Sequence, residues 1–207
     1  MRRMTRAERR EETRERLVAA ARRVFGRRGY HAASVDEVAR EAGYTTGAIY
    51  SNFDGKEGLF LAVYEQMVGE RTREVADAAE LGEPPGEAAR EVADQWMRRV
   101  SSDPESFMVL IEFWAWGVRD EELRPEFAAR FGAMRIAIGR LLERLMAERG
   151  VPLPLPSEQL GTALKALANG LALEKLADPD GVPDELLGQT IELLLDGIAA
   201  RAAAAAA

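Results

Sequence analysis

The sequence predicts an all-α protein. Apolar residues recur at spacings of three and four from about residue 10 onward, which is the period of an amphipathic helix. Breaks rich in glycine and proline divide this pattern into helix-length segments. The sequence shows neither the alternation of a half-buried strand nor an internal repeat. At 207 residues, the chain is long enough to bury a core without disulfide or metal cross-links.

The first predicted helix carries one apolar face among many arginines. Gly29 stands where a C-terminal glycine commonly ends a helix. The apolar face consists of Leu17, Ala20, Ala21, Val24 and Phe25. Residues 1–11 precede this pattern and form a basic N-terminal extension.

Two short helices follow, at about 34–42 and 45–53. Ser34 and Glu37 have the spacing of a capping box, in which each side chain accepts a hydrogen bond from the other's backbone N–H. Gly43 ends the first of the two helices by supplying a positive φ, and Thr45 is the predicted N-cap of the second. A fourth helix is predicted to begin after Asp54 and to extend towards Ala79.

The rest of the chain is predicted to form five longer helices. The GEPPG segment at 82–86 is the clearest break before them. VPLPLP, at 151–156, predicts a stiff extended connector, and DPDGVPD, at 178–184, predicts a loop. The alanine tail is predicted to be frayed helix or disordered. The predicted helices cover about 86–101, 104–117, 121–149, 157–177 and 184–200.

Composition excludes most enzyme chemistry. The chain has no cysteine and one histidine, His31, so thiolate metal sites, a cysteine nucleophile and a two-histidine zinc motif are impossible. The Gly-Lys pair at 55–56 lacks the other residues of a phosphate-binding loop. We therefore expect no enzyme, no metal and no cofactor. The sequence shows no signal peptide and no membrane span, which predicts a cytoplasmic protein without a membrane partner.

The charge is distributed unevenly. Residues 1–60 contain 13 basic and 9 acidic residues, whereas the remainder contains 15 basic and 26 acidic ones. A basic head on an acidic body indicates that a polyanion binds the head only. A solvated, charge-rich first helix is the alternative interpretation.

The two short helices have the spacing of a helix-turn-helix. The second helix of that motif enters the major groove of DNA with its N-terminal residues near the base edges. Hydroxyl groups, helix N-termini and lysine are common phosphate ligands, and Asn52 could instead bind an adenine edge. The alternative is that Tyr50 is a core aromatic, like Phe53. The residues predicted to face DNA are Thr45, Thr46, Gly47, Tyr50, Ser51, Asn52 and Lys56.

Residues 12–60 resemble the N-terminal domain of the TetR family of transcriptional regulators. The resemblance rests on the glycine–aromatic pair at 29–30, the capping serine, the A-x-E-A-G turn, G-x-I-Y at 47–50, Asn-Phe at 52–53 and Lys-Glu at 56–57. It implies a two-fold homodimer, a palindromic operator in double-stranded DNA, and repression relieved by a small-molecule effector of unknown identity. It also implies a phosphate contact for Ser34. Tyr44 departs from the small aliphatic residue usual in the family, and is either packed or in contact with DNA.

The resemblance also raises a question about the arginines before residue 12. Some family members use such an extension as an arm in the minor groove of DNA. The alternative is a disordered, solubilising tail.

The last two predicted helices carry wide apolar faces. Two such helices from each subunit would form a four-helix bundle between subunits, as the resemblance implies; the alternative is that they only cover their own core. The residues predicted at the dimer interface are Leu164, Leu167, Leu171, Leu187, Ile191, Leu194, Leu195 and Ile198.

The middle helices are rich in aromatic residues and methionine, which predicts either an apolar effector pocket or plain core packing. Glu112 and Arg119 are candidate polar anchors for the effector, and Glu112 would suit a cation or a hydrogen-bond donor. The predicted pocket residues are Trp96, Phe107, Met108, Glu112, Phe113, Trp116, Phe131 and Met134.

The sequence thus predicts a DNA-binding regulator, released from its operator by a largely apolar effector. The predicted domains are the extension at 1–11, the helix-turn-helix domain at 12–58, the effector-binding and dimerisation domain at 59–201, and the alanine tail at 202–207. A helical DNA-binding protein without an effector and a helical-bundle ligand carrier are the alternatives.

Overall fold

The computed structural model describes residues 4–78, 85–119, 121 and 124–206. Within those residues the secondary structure is helical, without strands, which confirms the predicted fold class. The helices are α1 (Arg6–Ala32), α2 (Val35–Ala42), α3 (Thr46–Asn52), α4 (Gly55–Ala78), α5 (Pro85–Ser102), α6 (Pro104–Arg119), α7 (Arg124–Glu148), α8 (Ser157–Ala177) and α9 (Leu186–Ala206). None of them is long and apolar enough to cross a bilayer.

Helix α1 begins earlier than its apolar pattern indicates. Thr5 is its N-cap: the Thr5 hydroxyl accepts a hydrogen bond from the Glu8 N–H at 3.2 Å, and the Thr5 N–H donates to the Glu8 carboxylate at 2.7 Å. This capping box stabilises the first turn. The expectation of a disordered tail is therefore wrong from residue 6 onward, and residues 1–3 lie outside the described part of the chain.

The turns around α2 follow the predicted residues. Ser34 and Glu37 form the capping box, with N···O distances of 3.2 and 3.0 Å. Gly43 ends α2 in the left-handed region at φ 75°, and Thr45 is the N-cap of α3. Within α1 there is a kink at Gly29, whose φ of 74° and ψ of 160° are not helical.

The chain forms two compact units. The first contains Met1–Met67 and Glu105–Arg124, and the second contains Val68–Pro104 and Pro125–Ala207. The first unit thus holds α1 to α3, the beginning of α4, and α6. These units describe packing, and the functional boundary predicted at 58/59 remains a prediction.

The second unit is built on close packing of its long helices. Its core includes Leu145, Met146 and Leu195, each at most 1% exposed. A Cβ atom added to Gly161 of α8 would overlap the carbonyl oxygen of Arg135 on α7, so the two backbones touch there. Lys175, 6% exposed, binds Asp184 at 2.7 Å and the Val182 carbonyl at 2.5 Å, which fixes the 178–184 loop to α8.

Two glycine substitutions should change stability in opposite directions. Gly43→Ala places a side chain at positive φ, with nothing within 4 Å of the new Cβ. The substitution therefore causes no steric clash, and its cost is the strain of the left-handed backbone, which we expect to lower the free energy of unfolding by about 1–2 kcal/mol. Gly69→Ala lies inside α4, also with nothing within 4 Å, and should gain up to about 1 kcal/mol. Urea unfolding measures both, and two shifts of the same sign would contradict this account.

Candidate nucleic-acid interface

The α2–α3 pair is held together from its inner side. Ile49 of α3 and Val38 of α2 are fully buried, and Ala39 is 2% exposed. The Thr46 hydroxyl donates to the Asp36 carboxylate at 2.6 Å, which ties the start of α3 to the start of α2. The outer face of α3 is therefore presented at a fixed angle.

That outer face is exposed and polar. Thr45, Gly47, Tyr50 and Ser51 are exposed, Tyr50 by 62%. Tyr50 is thus not a core aromatic, whereas Phe53, 8% exposed, is one. The partly buried members of the predicted set are Ser34, Tyr44, Thr46, Asn52 and Lys56.

Asn52 is turned towards its own helix. Its side-chain Nδ2 donates to the Ala48 carbonyl at 2.8 Å and to the Ser51 hydroxyl at 3.2 Å, while its Oδ1 is buried without a hydrogen-bond partner. In this conformation the amide is directed at the backbone of α3 and not outward, so binding an adenine edge would require it to turn.

Lys56 lies at the start of α4. Its Nζ donates to the His31 carbonyl at 3.2 Å and stands 4.6 Å from the centre of the Tyr30 ring. Desolvation lowers the pKa of Lys56, and the charges of Glu112 and Glu37 act in the opposite direction. The ammonium is thus held beside the last turn of α1, which is 25 residues away in sequence.

Two arginines of α1 bind the C-terminal end of α3, a contact that sequence reasoning missed. Arg10 donates to the Ser51 carbonyl at 3.4 Å and Arg14 to the Asn52 carbonyl at 3.2 Å. Arg14 also lies 4.5 Å from the centre of the Phe53 ring. Cations near the last carbonyls of a helix are favourable. The signal was present in the spacing, since residues 10, 14, 17 and 21 share one face of α1.

The arginines further along α1 have acidic partners on α2. Arg23 and Arg27 each bind Glu41 at 3.0 Å, and Arg28 binds Glu37 at 3.2 Å. Hydrogen bonds from Arg23 and Arg27 lower the pKa of Glu41. The pKa of Glu37 is lowered first by its backbone hydrogen bond at Ser34. These three arginines connect α1 to α2.

Two family models match the chain. "Bacterial regulatory proteins, tetR family" matches residues 17–63, and "BetI-type transcriptional repressor, C-terminal" matches residues 85–203, which is more than half of the chain. The chain belongs to the TetR family. It is therefore a DNA-binding transcriptional regulator and not an enzyme.

Curated relatives of this TetR-family regulator are also named as transcriptional regulators. The transcriptional regulator BetI of Vibrio atlanticus is 25% identical over 173 residues, covering 80% of this chain and 81% of BetI. The transcriptional activator FasR of Mycolicibacterium smegmatis is 30% identical over 121 residues, covering 58% of this chain and 52% of FasR. The match to FasR thus spans about half of that protein.

Solved structures of similar fold include two complexes with ligands. The regulator FadR of Bacillus subtilis with stearoyl-CoA has a TM-score of 0.72 and 17% identity, covering 87% of this chain and 96% of that one. A regulator from Saccharomonospora viridis with choline has a TM-score of 0.68 and 21% identity, covering 90% and 96%. At these identities the likeness shows the fold.

The residues predicted to line an effector pocket are divided between the two units. Phe107, Met108, Glu112, Phe113 and Trp116 lie on α6 in the first unit, and Trp96 and Met134 lie in the second. Phe131 is in α7, but its side chain is outside the described part. The pocket assignment therefore stays a prediction.

Most of the α6 members have partners within the first unit. Phe113 is fully buried and stacks on Tyr64, with ring centres 3.8 Å apart and planes inclined by 7°. Trp116 lies 5.6 Å from Phe113, ring centre to ring centre, whereas Met108 is 43% exposed. For Phe113, this packing agrees with the alternative interpretation, in which the aromatic residues are plain core packing.

Glu112 has a backbone partner. Its carboxylate accepts the Tyr30 N–H at 2.5 Å, and a Cβ atom added to Gly29 would stand 2.7 Å from its Oε1. Glu112 thus connects α6 to the last part of α1, just after the kink at Gly29. This contact gives Glu112 a structural role, and its contact with an effector stays a prediction.

Three residues predicted at the dimer interface are buried within the single chain, and the interface assignment stays a prediction. Leu164, Leu187 and Leu195 are 7%, 3% and 1% exposed, because they pack into the core of their own subunit. The exposed stripes lie beside them, with Ala163, Ala166, Gly170 and Leu173 on α8 and Leu193, Gly197 and Ala200 on α9. Leu194 is 38% exposed, and Leu167, Leu171, Ile191 and Ile198 are partly buried.

Arg14→Ala should weaken the head more than Arg16→Ala. The Arg14 guanidinium binds both the end of α3 and the Phe53 ring, and its loss should cost about 1 kcal/mol in the free energy of unfolding. Arg16 is an exposed partner of Glu12, with a side chain 61% exposed, and its loss should cost less than about 0.5 kcal/mol. Both variants remove one positive charge, so a greater loss of DNA affinity in Arg14→Ala measures the positioning of α3. Equal affinities would contradict that role.

Proposed function

We propose that this regulator is a cytoplasmic repressor that binds a palindromic operator as a homodimer and leaves it when a small, largely apolar effector binds. The observation that carries the proposal is the exposed hydroxyl-bearing face of α3, held rigidly by the buried Ile49. The family description of the C-terminal region, which names a repressor, supports the direction of regulation.

The DNA contacts we propose are the predicted ones. Thr45, Gly47, Tyr50 and Ser51 are exposed on one short helix, and Gly47 allows its backbone to approach a phosphate closely. Thr46, Asn52, Tyr44, Ser34 and Lys56 flank them. Two copies of α3 must lie about one DNA turn apart (about 34–36 Å) to bind two half-sites. A dimer is therefore part of the proposal.

The effector is proposed to act through a shift between two forms of the dimer. A ligand that binds more tightly to the form with a poor spacing of recognition helices lowers operator affinity. Helix α4 is suited to transmit such a shift, because it begins in the first unit and ends in the second without a break. The complexes with stearoyl-CoA and with choline show that similar folds accept small ligands.

Selection of bound DNA from random sequence tests the function. The expected product is one short palindrome, which the purified protein should then retard as a dimer. Broad coverage of DNA without a palindrome would favour a DNA-binding protein without an effector. No retardation at low ionic strength would favour a ligand carrier and would overturn the proposal.

Lys56→Ala should weaken binding to every DNA sequence. Loss of one phosphate contact per site reduces the slope of log affinity against log salt concentration by about 1. Lys56→Arg keeps the charge and should keep the slope. Fluorescence anisotropy across a salt series measures both variants, and an unchanged slope in Lys56→Ala would remove this residue from the contacts.

Leu193→Arg should separate the subunits. Leu193 is 74% exposed on α9, and a buried, unpaired charge at an interface is strongly unfavourable. Leu155, 52% exposed in the 151–156 connector, offers a matched control in Leu155→Arg, which should remain dimeric. Analytical ultracentrifugation distinguishes the two; a dimeric Leu193→Arg variant would place the interface elsewhere.

A further inference from the structure

A carboxylate and a hydroxyl group are hydrogen-bonded at the N-terminal end of α3. Thr46 is the first residue of α3, and Asp36 lies in the first turn of α2. The Thr46 Oγ1 stands 2.6 Å from the Asp36 Oδ1, which is the length of a charge-assisted hydrogen bond. Asp36 is exposed and Thr46 is partly buried, so both side chains reach the surface of the α2–α3 pair.

This hydrogen bond determines what the Thr46 hydroxyl can bind next. A hydroxyl group has one proton and two lone pairs, whereas a carboxylate only accepts hydrogen bonds. The proton between the two oxygens therefore belongs to Thr46, and the lone pairs of its Oγ1 are left for a further partner. Phosphate oxygens also only accept, so Thr46 cannot bind a phosphate without losing Asp36. The two side chains, which we call the acceptor pair, can together accept hydrogen bonds but cannot donate one.

The hydroxyl group of Ser51, on the same helix, is held less firmly. It donates to the Ala48 carbonyl, a neutral acceptor, at 2.9 Å. Hydrogen bonds to a charged acceptor are roughly twice as strong as neutral ones. Ser51 can therefore exchange its partner for a phosphate more readily than Thr46 can.

The negative charge of Asp36 opposes DNA binding in general. A carboxylate on a surface that approaches a polyanion is repelled by the phosphates of every sequence. A neutral acceptor would connect Thr46 to α2 without this cost, and Ser34 and Glu37 already cap α2. The charge therefore indicates a partner on the DNA that donates hydrogen bonds.

We infer that Asp36 and Thr46 together accept a hydrogen bond from an exocyclic amine in the major groove of the operator, N4 of cytosine or N6 of adenine. These amines are the donors that base edges present in the major groove. The first residues of a recognition helix approach the base edges, and Thr46 begins α3. This inference rests on the proposed function, and it assigns base recognition, not phosphate binding, to Thr46.

Selection of bound DNA from random duplexes tests the acceptor pair on the full-length protein. The wild-type protein should select a palindrome with cytosine or adenine at one position on a given strand of each half-site. Thr46→Val removes the hydroxyl at nearly constant volume and should lose the preference at that position alone. Thr46→Ser keeps the hydroxyl and should keep the preference. A Thr46→Val variant that selects the wild-type motif unchanged would overturn the inference.

Base analogues identify the amine directly. Replacing adenine by 2-aminopurine, or cytosine by pyrimidin-2-one, removes the amine from the major groove at the selected position. The replacement should weaken wild-type binding about tenfold, as a typical mismatched base pair does, and Thr46→Val binding by less than about threefold. Equal losses in the two proteins would contradict a contact between the acceptor pair and that amine.

Asp36→Asn separates base recognition from the positioning of α3. The carboxamide oxygen can still accept from Thr46, so α2 and α3 stay connected, while the negative charge is removed and an amide donor is added. Affinity for DNA that lacks the operator should rise, because one repelling charge is lost. The preference for operator over such DNA should fall about tenfold. A purely structural pair predicts equal changes in affinity for both DNAs, a result that would overturn the inference.

Two control variants and the wild-type result separate this inference from the proposed function. Thr72→Val removes a partly buried hydroxyl from α4, and Asp180→Asn removes an exposed carboxylate from the 178–184 loop; both should select the wild-type motif. If the wild-type protein selects no palindrome, the proposed function fails and the inference fails with it. If it selects a palindrome that Asp36→Asn and Thr46→Val also select unchanged, the acceptor pair alone is contradicted.

Discussion

The orientation of α3 depends on the burial of Ile49. With seven residues, α3 is too short to be stable alone in water, so packing against α1 and α2 must supply both its stability and its direction. Ile49 contributes the fully buried side chain, and Tyr50, the next residue about 100° around the helix, is 62% exposed. One apolar contact therefore determines where the polar face points.

The arginines of α1 have different kinds of partner at its two ends. Near its C-terminal end, Arg23, Arg27 and Arg28 are paired with two carboxylates of α2, Glu37 and Glu41, which offset two of their three charges. Near its beginning, Arg10 and Arg14 bind neutral backbone carbonyls, which hold the guanidinium groups in place without cancelling their charge. Two positive charges of α1 thus stand beside the C-terminal end of α3.

The capping residues made the fold largely predictable from the sequence. The Ser34–Glu37 box, Gly43 and Thr45 set local geometry through backbone hydrogen bonds and allowed φ values, and both depend on residue type at a given spacing. The early start of α1 was missed although Thr5 and Glu8 carry the same signal, because the apolar pattern begins later.

The register of α8 and α9 was harder to predict. Leucine and alanine are both compatible with a core or an interface, so periodicity cannot decide which of two adjacent stripes faces inward. Leu164 proved to be inside and Ala163 outside because Gly161 brings α7 against that side of α8.

The hydrogen bond between Glu112 and the Tyr30 N–H makes the α1–α2 turn sensitive to the axial position of α6. One residue of helical rise is about 1.5 Å, and a slide of that size along the direction of the bond would lengthen it from 2.5 Å to about 4 Å, beyond the range of hydrogen bonding. Since Tyr30 precedes the cap of α2 by only four residues, the start of the helix-turn-helix is tethered to a helix that comes from a distant part of the chain.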